Sequence, residues 1–375
     1  MKEIKAILAA YDAIDFTEKQ AALATVVRVE GSSYRRIGAR MLVVDDGNWV
    51  GGISGGCLEG DALKRARLAI YNRRPSVVTY DTTDDDAHQI GVGLGCNGII
   101  DVLFTPLDAD NKTNSVEILR GLTDSRDIEM LVSVGNQPPP TGENLPKLGD
   151  IFSLETFGNT FPNLFGKAEN DISTVLNSKK SAVFTYQTDG GAAVKLLFEV
   201  LPPVIHLVAF GGNYDVLPLV RLAREIGWRV SVVANSHKLP KPIFDAADYV
   251  FDKNAADFPP SDAFTAFVLM AHDYKTDLEN LRKSLASNVP YIGLLGPLKR
   301  SQKFYDELNS IKNEELKIKN GVASADNPRI FAPVGLDIGA MSPEEIALSI
   351  VAEIQTVFSR KPAISLKNKI GVIHD

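Results

Sequence analysis

Beyond Pro202-Pro203 the chain alternates short apolar runs with longer amphipathic stretches, and this rhythm constrains the fold more than any other feature. Residues 204–210, 228–234, 249–250, 266–271 and 291–295 have the apolar, β-prone content of buried strands. The stretches between them include a helical pattern from Gly211-Gly212 to about Ile226 and another reaching Leu285. Parallel neighbours need a crossover, so strands that alternate with helices predict a parallel, doubly wound α/β sheet. Ser342-Pro343-Glu344-Glu345 opens the last long helix, with Ser as N-cap, Pro at the first helical position and Glu three residues after the cap.

The first half follows a different rule. Ile4, Ile7, Leu8 and Tyr11 recur at helical spacing, and residues 23–29 then form a β-prone run. Residues 41–44 and 49–53 flank Asp46-Gly47, a hairpin turn signal. A glycine-dense stretch, 51–60, leads into a helix with Leu63, Ala66 and Ile70 on one face. Strands at 77–80 and 99–104 bracket a second glycine cluster, and hairpins mixed with helices predict an α+β domain. The signal weakens over 107–180, where no chemistry is placed, and a hairpin turns around Asp189-Gly190-Gly191. Pro202-Pro203 is a natural hinge because proline fixes φ and interrupts helix and sheet alike. The expected domains are 1–200 (motif core 1–106, weakly readable 107–180, hairpin 181–200) and 201–375.

Forty Lys and Arg against 47 Asp and Glu leave a formal charge of −7. That excess argues against a general nucleic-acid or anionic-membrane surface. No uninterrupted apolar run approaches the ~18–20 residues of a spanning helix. The amphipathic start does not read as a signal peptide, and two cysteines are no disulfide framework, so a cytoplasmic setting with reduced thiols is expected.

Both cysteines fall inside glycine clusters, the best physical hint of a site. Gly55-Gly56-Cys57-Leu58-Glu59-Gly60 lies at a predicted helix start, where a thiol loses its proton more readily; equally, Cys57 fills space behind a turn. Gly91 to Gly98 carries four glycines, with Gly95-Cys96 among them, a density that calls for positive φ or a close ligand. Upstream, Ser32, Ser33 and Arg35 offer hydroxyls and a guanidinium fork suited to phosphate or a planar heterocycle, or form an ordinary solvated loop. In the second domain Gly211-Gly212-Asn213 follows a strand without the Gly-x-Gly-x-x-Gly pattern, and no carboxylate follows the next strand. His272-Asp273 lies at a strand's carboxyl end, where open α/β sheets place ligands; a lone histidine there is a base, a ligand or a structural group. No metal-ligand set is found in the spacing.

The order of these pieces resembles the XdhC/CoxI family, accessory proteins of xanthine dehydrogenase and related molybdenum hydroxylases. The match runs through Gly31-Ser32-Ser33, Arg35, Gly38-Ala39-Arg40-Met41, Gly52 to Gly60 and Gly93-Leu94-Gly95-Cys96. It continues at Phe198-Glu199, Phe210-Gly211, His272-Asp273, Gly335-Leu336-Asp337-Ile338-Gly339 and Pro343-Glu344-Glu345. The resemblance implies an N-terminal XdhC/CoxI-type domain followed by a Rossmann-like domain. It further implies a factor that binds molybdenum cofactor (molybdopterin) transiently, shields it while a cysteine desulfurase installs its terminal sulfur, and passes it to an apo-xanthine dehydrogenase-type hydroxylase. Candidate cofactor contacts on that basis are Ser32, Ser33, Arg35, Gly55, Gly56, Cys57, Glu59, Gly95, Cys96, Gly211, Gly212, His272 and Asp273. Cys57, Cys96 and Glu59 are the candidates for chemistry.

This chain departs from the family at the second domain's ligand edge. Gly211-Gly212-Asn213-Tyr214 stands for Gly-x-Gly-His, and Ala234-Asn235 stands where an Asp is usual. Ala271-His272-Asp273-Tyr274 replaces Thr-His-Asp-His, and Gly296-Pro297 replaces Gly-Ser-Arg. Cofactor handling is therefore expected to centre on the first domain, with the nucleotide site altered or lost and ordinary NAD(P) binding not expected. The competing reading is an NAD(P)-dependent oxidoreductase. A homodimer is also expected, with the apolar tail positions Ile364, Leu366, Ile370, Val372 and Ile373 available to an interface.

Overall fold

The computed structural model describes residues 1–31, 33–81, 98–138, 144–254, 258–310 and 327–369. The chain divides into two compact units, Met1–Pro203 and Val204–Asp375.

In the first unit the order is α1 (Lys2–Asp12), β1 (Ala21–Gly31), β2 (Arg40–Val44), β3 (Trp49–Gly51), α2 (Glu59–Asn72), β4 (Ser76–Asp81) and β5 (Gly98–Pro106). The strands form an antiparallel sheet in the order β3-β2-β1-β5-β4. The expected hairpin is present, with Val43 opposite Trp49 and Gly47 in the left-handed region at φ 98°. Alternation along β1 feeds two cores. Ala22, Ala24 and Val26 meet Ala62, Ala66 and Ala69 of α2, whose small side chains let helix and sheet approach closely. Leu23 joins Ile4, Ile7 and Leu8 of α1 in a separate cluster.

The described residues of the stretch that reads weakly in the sequence hold five elements: α3 (Ser115–Leu122), β6 (Glu129–Val134), β7 (Ile151–Ser153), α4 (Leu154–Thr160) and α5 (Pro162–Ser178). With β8 (Ala182–Gln187) and β9 (Ala193–Leu201) the strands make a second antiparallel sheet, β7-β6-β9-β8. They escape a periodicity reading because β7 has only three residues and β6 pairs with β9, far along the chain. Phe157, Phe161 and Ile172 seal this sheet against α4 and α5.

The second unit keeps the predicted rhythm: β10 (His206–Phe210), α6 (Val216–Glu225), β11 (Arg229–Ala234), α7 (Lys241–Ala246), β12 (Tyr249–Asp252), β13 (Thr265–Leu269), α8 (Tyr274–Ala286), β14 (Tyr291–Leu294), α9 (Leu298–Ser310), β15 (Ile330–Phe331) and α10 (Pro343–Ser359). All pairings are parallel, in the order β12-β11-β10-β13-β14-β15. In sequence terms this is 3-2-1-4-5-6, a Rossmann-like doubly wound sheet whose order reverses between β10 and β13. Leu207, Ala209 and Val232 face α6 and α10, whereas Val208, Phe210 and Phe267 face α8 and α9. Ser342 and Glu345 form the capping box that opens α10.

Candidate functional site

In the first unit the described candidate residues gather at one end of the first sheet. Gly31 pairs with Gly98, and Asp81 with Ile99, so the described residues flanking the second glycine cluster lie beside the start of the Ser33–Arg36 loop. Ser32, Gly95 and Cys96 lie outside the described residues. Ser33 is buried, and its Oγ has no hydrogen-bond partner among the described residues. An unsatisfied buried hydroxyl is costly, which makes it a natural acceptor or donor for a bound polar group.

Tyr34 brings the first two predicted clusters together. Its ring, 72% exposed, lies against Gly55, where a Cβ would come within 3.2 Å of the ring's Cγ. Gly55 therefore serves close packing, while Gly56 has φ 114° and open space where a side chain would begin.

Glu59 holds the turn between them. Its carboxylate accepts from the Ser54 backbone N–H at 2.8 Å and from the Ser54 hydroxyl. Ser54 Oγ in turn accepts from the N–H groups of Gly56 and Leu58, at 3.2 and 3.1 Å. Burial opposes the charged carboxylate, but these hydrogen bonds outweigh it and hold the Glu59 pKa below its ordinary value. Glu59 is thus occupied with shaping the loop. Cys57 is a half-buried free thiol directly before the helix cap Leu58, packed against the core of the first sheet.

Two carboxylates that the sequence reading did not single out for chemistry control the arginines. Arg35 is paired with Glu3 of α1. Arg40, fully buried, grips Glu199 of β9 with both terminal nitrogens at 2.9 and 2.5 Å and donates to the Gly38 carbonyl at 2.7 Å. A cavity of about 390 Å³ is lined by Glu3, Tyr34, Arg35, Arg36 and Glu199 among others. The signal for Glu3 was an acid in the first turn of a helix, which by itself reads as dipole complement.

In the second unit Gly211, Gly212 and Asp273 line one cavity of about 240 Å³ at the carboxyl ends of the strands. Gly211 is required by packing: a Cβ there would stand 2.5 Å from the Met270 carbonyl oxygen. His272 is not among the lining residues. It adopts φ 57°, and its Nε2 lies 2.6 Å from Asp215 Oδ2. Asp273 caps α8, its carboxylate accepting from the Thr276 N–H at 2.8 Å. Adjacent residues thus serve different elements, and the pair does not act as one unit. No group of three or more His, Cys, Asp or Glu placed to hold a metal occurs among the described residues. No helix among them is long and apolar enough to cross a membrane.

An antiparallel first unit with a glycine-built loop edge, followed by a 3-2-1-4-5-6 parallel sheet, defines the class to which this protein belongs. The XdhC and CoxI family model matches residues 17–81, and the XdhC Rossmann domain matches 207–354. The chain belongs to the XdhC/CoxI family. It is 27% identical over 352 residues to a probable xanthine dehydrogenase subunit from Bacillus subtilis, covering 92% of this chain and 94% of that protein. It is 24% identical over 340 residues to the molybdenum cofactor insertion chaperone PaoD of Escherichia coli, covering 90% and 84% respectively. A crystal structure described as a xanthine dehydrogenase from Bacillus halodurans superposes with a TM-score of 0.67 at 26% identity, covering 97% of this chain and 98% of that one.

Proposed function

We propose that this chain is a maturation factor that carries molybdenum cofactor as cargo to a xanthine dehydrogenase-type hydroxylase. The observation that carries the reading is likeness across both units to an insertion chaperone and to a xanthine dehydrogenase component, each aligned over nine-tenths of this chain. The geometry of the first unit fits such a cargo. Ser33 presents an unsatisfied hydroxyl, Gly56 leaves backbone open to approach, and Arg35 lines a cavity where an anionic group of the cargo competes with Glu3 for its fork. Cys57 stands next to that open backbone, suited to the sulfur-rich face of the cargo. In this reading the factor holds the cofactor while a cysteine desulfurase supplies sulfur, acts as a homodimer in the cytoplasm, and turns over no substrate of its own.

The test is retention of released molybdenum cofactor through anaerobic gel filtration, with Cys57→Ala and Arg35→Ala beside the native chain. Near-stoichiometric retention that falls in the variants is expected. No retention by the native chain, under conditions where the cofactor survives, overturns the reading; undiminished retention in both variants moves the site away from these residues.

A further inference from the structure

The second unit carries cations where a dinucleotide-binding sheet normally carries a ribose-binding acid. A carboxylate at the end of the second strand accepts the ribose hydroxyl in NAD-type sites, and a cation there accommodates a phosphate instead. Here β11 ends in Ala234-Asn235, and the Asn235 side-chain oxygen is occupied by the His237 N–H at 3.2 Å. The nearest strand-end acid, Asp252 of β12, is consumed internally. One of its oxygens accepts from the Ser236 N–H and hydroxyl, at 3.0 and 2.7 Å, and the other from the Asn254 N–H at 2.9 Å. Asp252 does not line the cavity.

Lys238 and Lys253 do line it. Their backbones are anchored side by side, the Lys253 N–H on the Ala234 carbonyl at 2.8 Å and the Lys238 N–H on the Asn235 carbonyl at 3.0 Å. Neither ammonium has a carboxylate within 4.0 Å among the described residues. The one acid in the lining, Asp273, is held at the start of α8 by the Thr276 N–H. Gly212 also lines the cavity, and a Cβ there would press to 3.1 Å on both Ala234 and Leu239, so the turn after β10 packs closely on the end of β11. The volume of about 240 Å³ falls below the ~300–1,000 Å³ of sites that enclose a whole drug-sized ligand, which suits one half of a dinucleotide.

We propose that this cavity binds an adenine-type nucleotide through a phosphate monoester on its ribose, between Lys238 and Lys253, in preference to an unmodified ribose diol. The proposal goes beyond the cargo reading and does not rest on it.

Calorimetric titration of the full chain with adenosine 2′,5′-bisphosphate, adenosine 5′-monophosphate and inorganic phosphate tests it. The bisphosphate is expected to bind about tenfold more tightly than the monophosphate, the difference of one well-made charged hydrogen-bond set. Lys238→Met should abolish that preference. Asn235→Asp, which restores a strand-end carboxylate and keeps the acceptor for His237, should reduce it with the fold intact. No binding of the bisphosphate, or equal binding of the two nucleotides, overturns the proposal. Inorganic phosphate matching the bisphosphate would mean a bare anion site and overturns the nucleotide part. A preference that survives Lys238→Met overturns the role of the lysine.

Discussion

Arg40 and Glu199, 159 residues apart, form a buried bidentate ion pair that ties the first sheet of the first unit to its second. Gly38 makes room for it: at φ 86°, a Cβ there would stand 2.2 Å from a Glu199 carboxylate oxygen. The Gly38-Ala39-Arg40 and Phe198-Glu199 segments, both part of the family resemblance, thus meet each other in the fold.

Removing one partner leaves the other charge buried and unpaired, so Glu199→Gln should cost about 3–5 kcal/mol of stability. Replacing both, as Arg40→Met with Glu199→Leu, should recover most of that loss. Urea denaturation of the three chains measures it; a single variant as stable as the native chain would remove the pair from the account of the fold.

Arg35 is held by Glu3, a carboxylate that competes with any anion the guanidinium is to bind. Glu3→Gln keeps an acceptor for the Arg40 N–H, which Glu3 now engages at 3.1 Å, while releasing the charge on Arg35. Cofactor retention should tighten about threefold, the scale of a partly exposed ion pair. Weaker retention would assign Glu3 to cargo binding itself.

Glu59 links pH to the Ser54–Gly56 turn. Its folded pKa lies below its ordinary 4.5, so the fold favours the ionised form. That stabilisation is present above 4.5 and is lost as pH falls through the depressed folded value. The native chain should exceed Glu59→Gln by about 1–2 kcal/mol near neutrality. The two should converge as pH falls from 4.5 through the depressed folded value. Urea midpoints across that range decide it, and a constant difference would sink the linkage.

The Tyr34 ring on Gly55 gives a fourth expectation. Gly55→Val should push the ring off the loop and lower cofactor retention, with a change in Tm of only a few degrees because both positions are exposed. Tyr34→Ala should reproduce the loss. Full retention in both variants would mean that the contact shapes nothing the cargo uses.

Much of the second unit was legible because local signals act there in short range. Each strand reads as an apolar run, each crossover as an amphipathic stretch, and Ser342-Pro343-Glu344-Glu345 announces α10 before any contact is known. Residues 107–180 were opaque because their strands are short and their partners distant: β6 pairs with β9, with α4 and α5 lying between them in the chain. At the candidate site, glycine density pointed to Gly55-Gly56-Cys57 correctly as a loop beside a helix start. It did not reveal that Gly55 lies under Tyr34, or that Glu59 is occupied by Ser54.

The sequence by itself determined the alternation of strand and helix, the hairpin at Asp46-Gly47 and the glycine-built loops, since these depend on side-chain periodicity and backbone freedom within a few residues. The tertiary structure decided which charge meets which. Arg35 goes to Glu3, Arg40 to Glu199, and His272 to Asp215 rather than to the cavity its neighbour Asp273 lines. Those partners are separated by 32, 159 and 57 residues. A Coulomb contact depends on the distance between side chains in space, which only the packed path of the backbone sets.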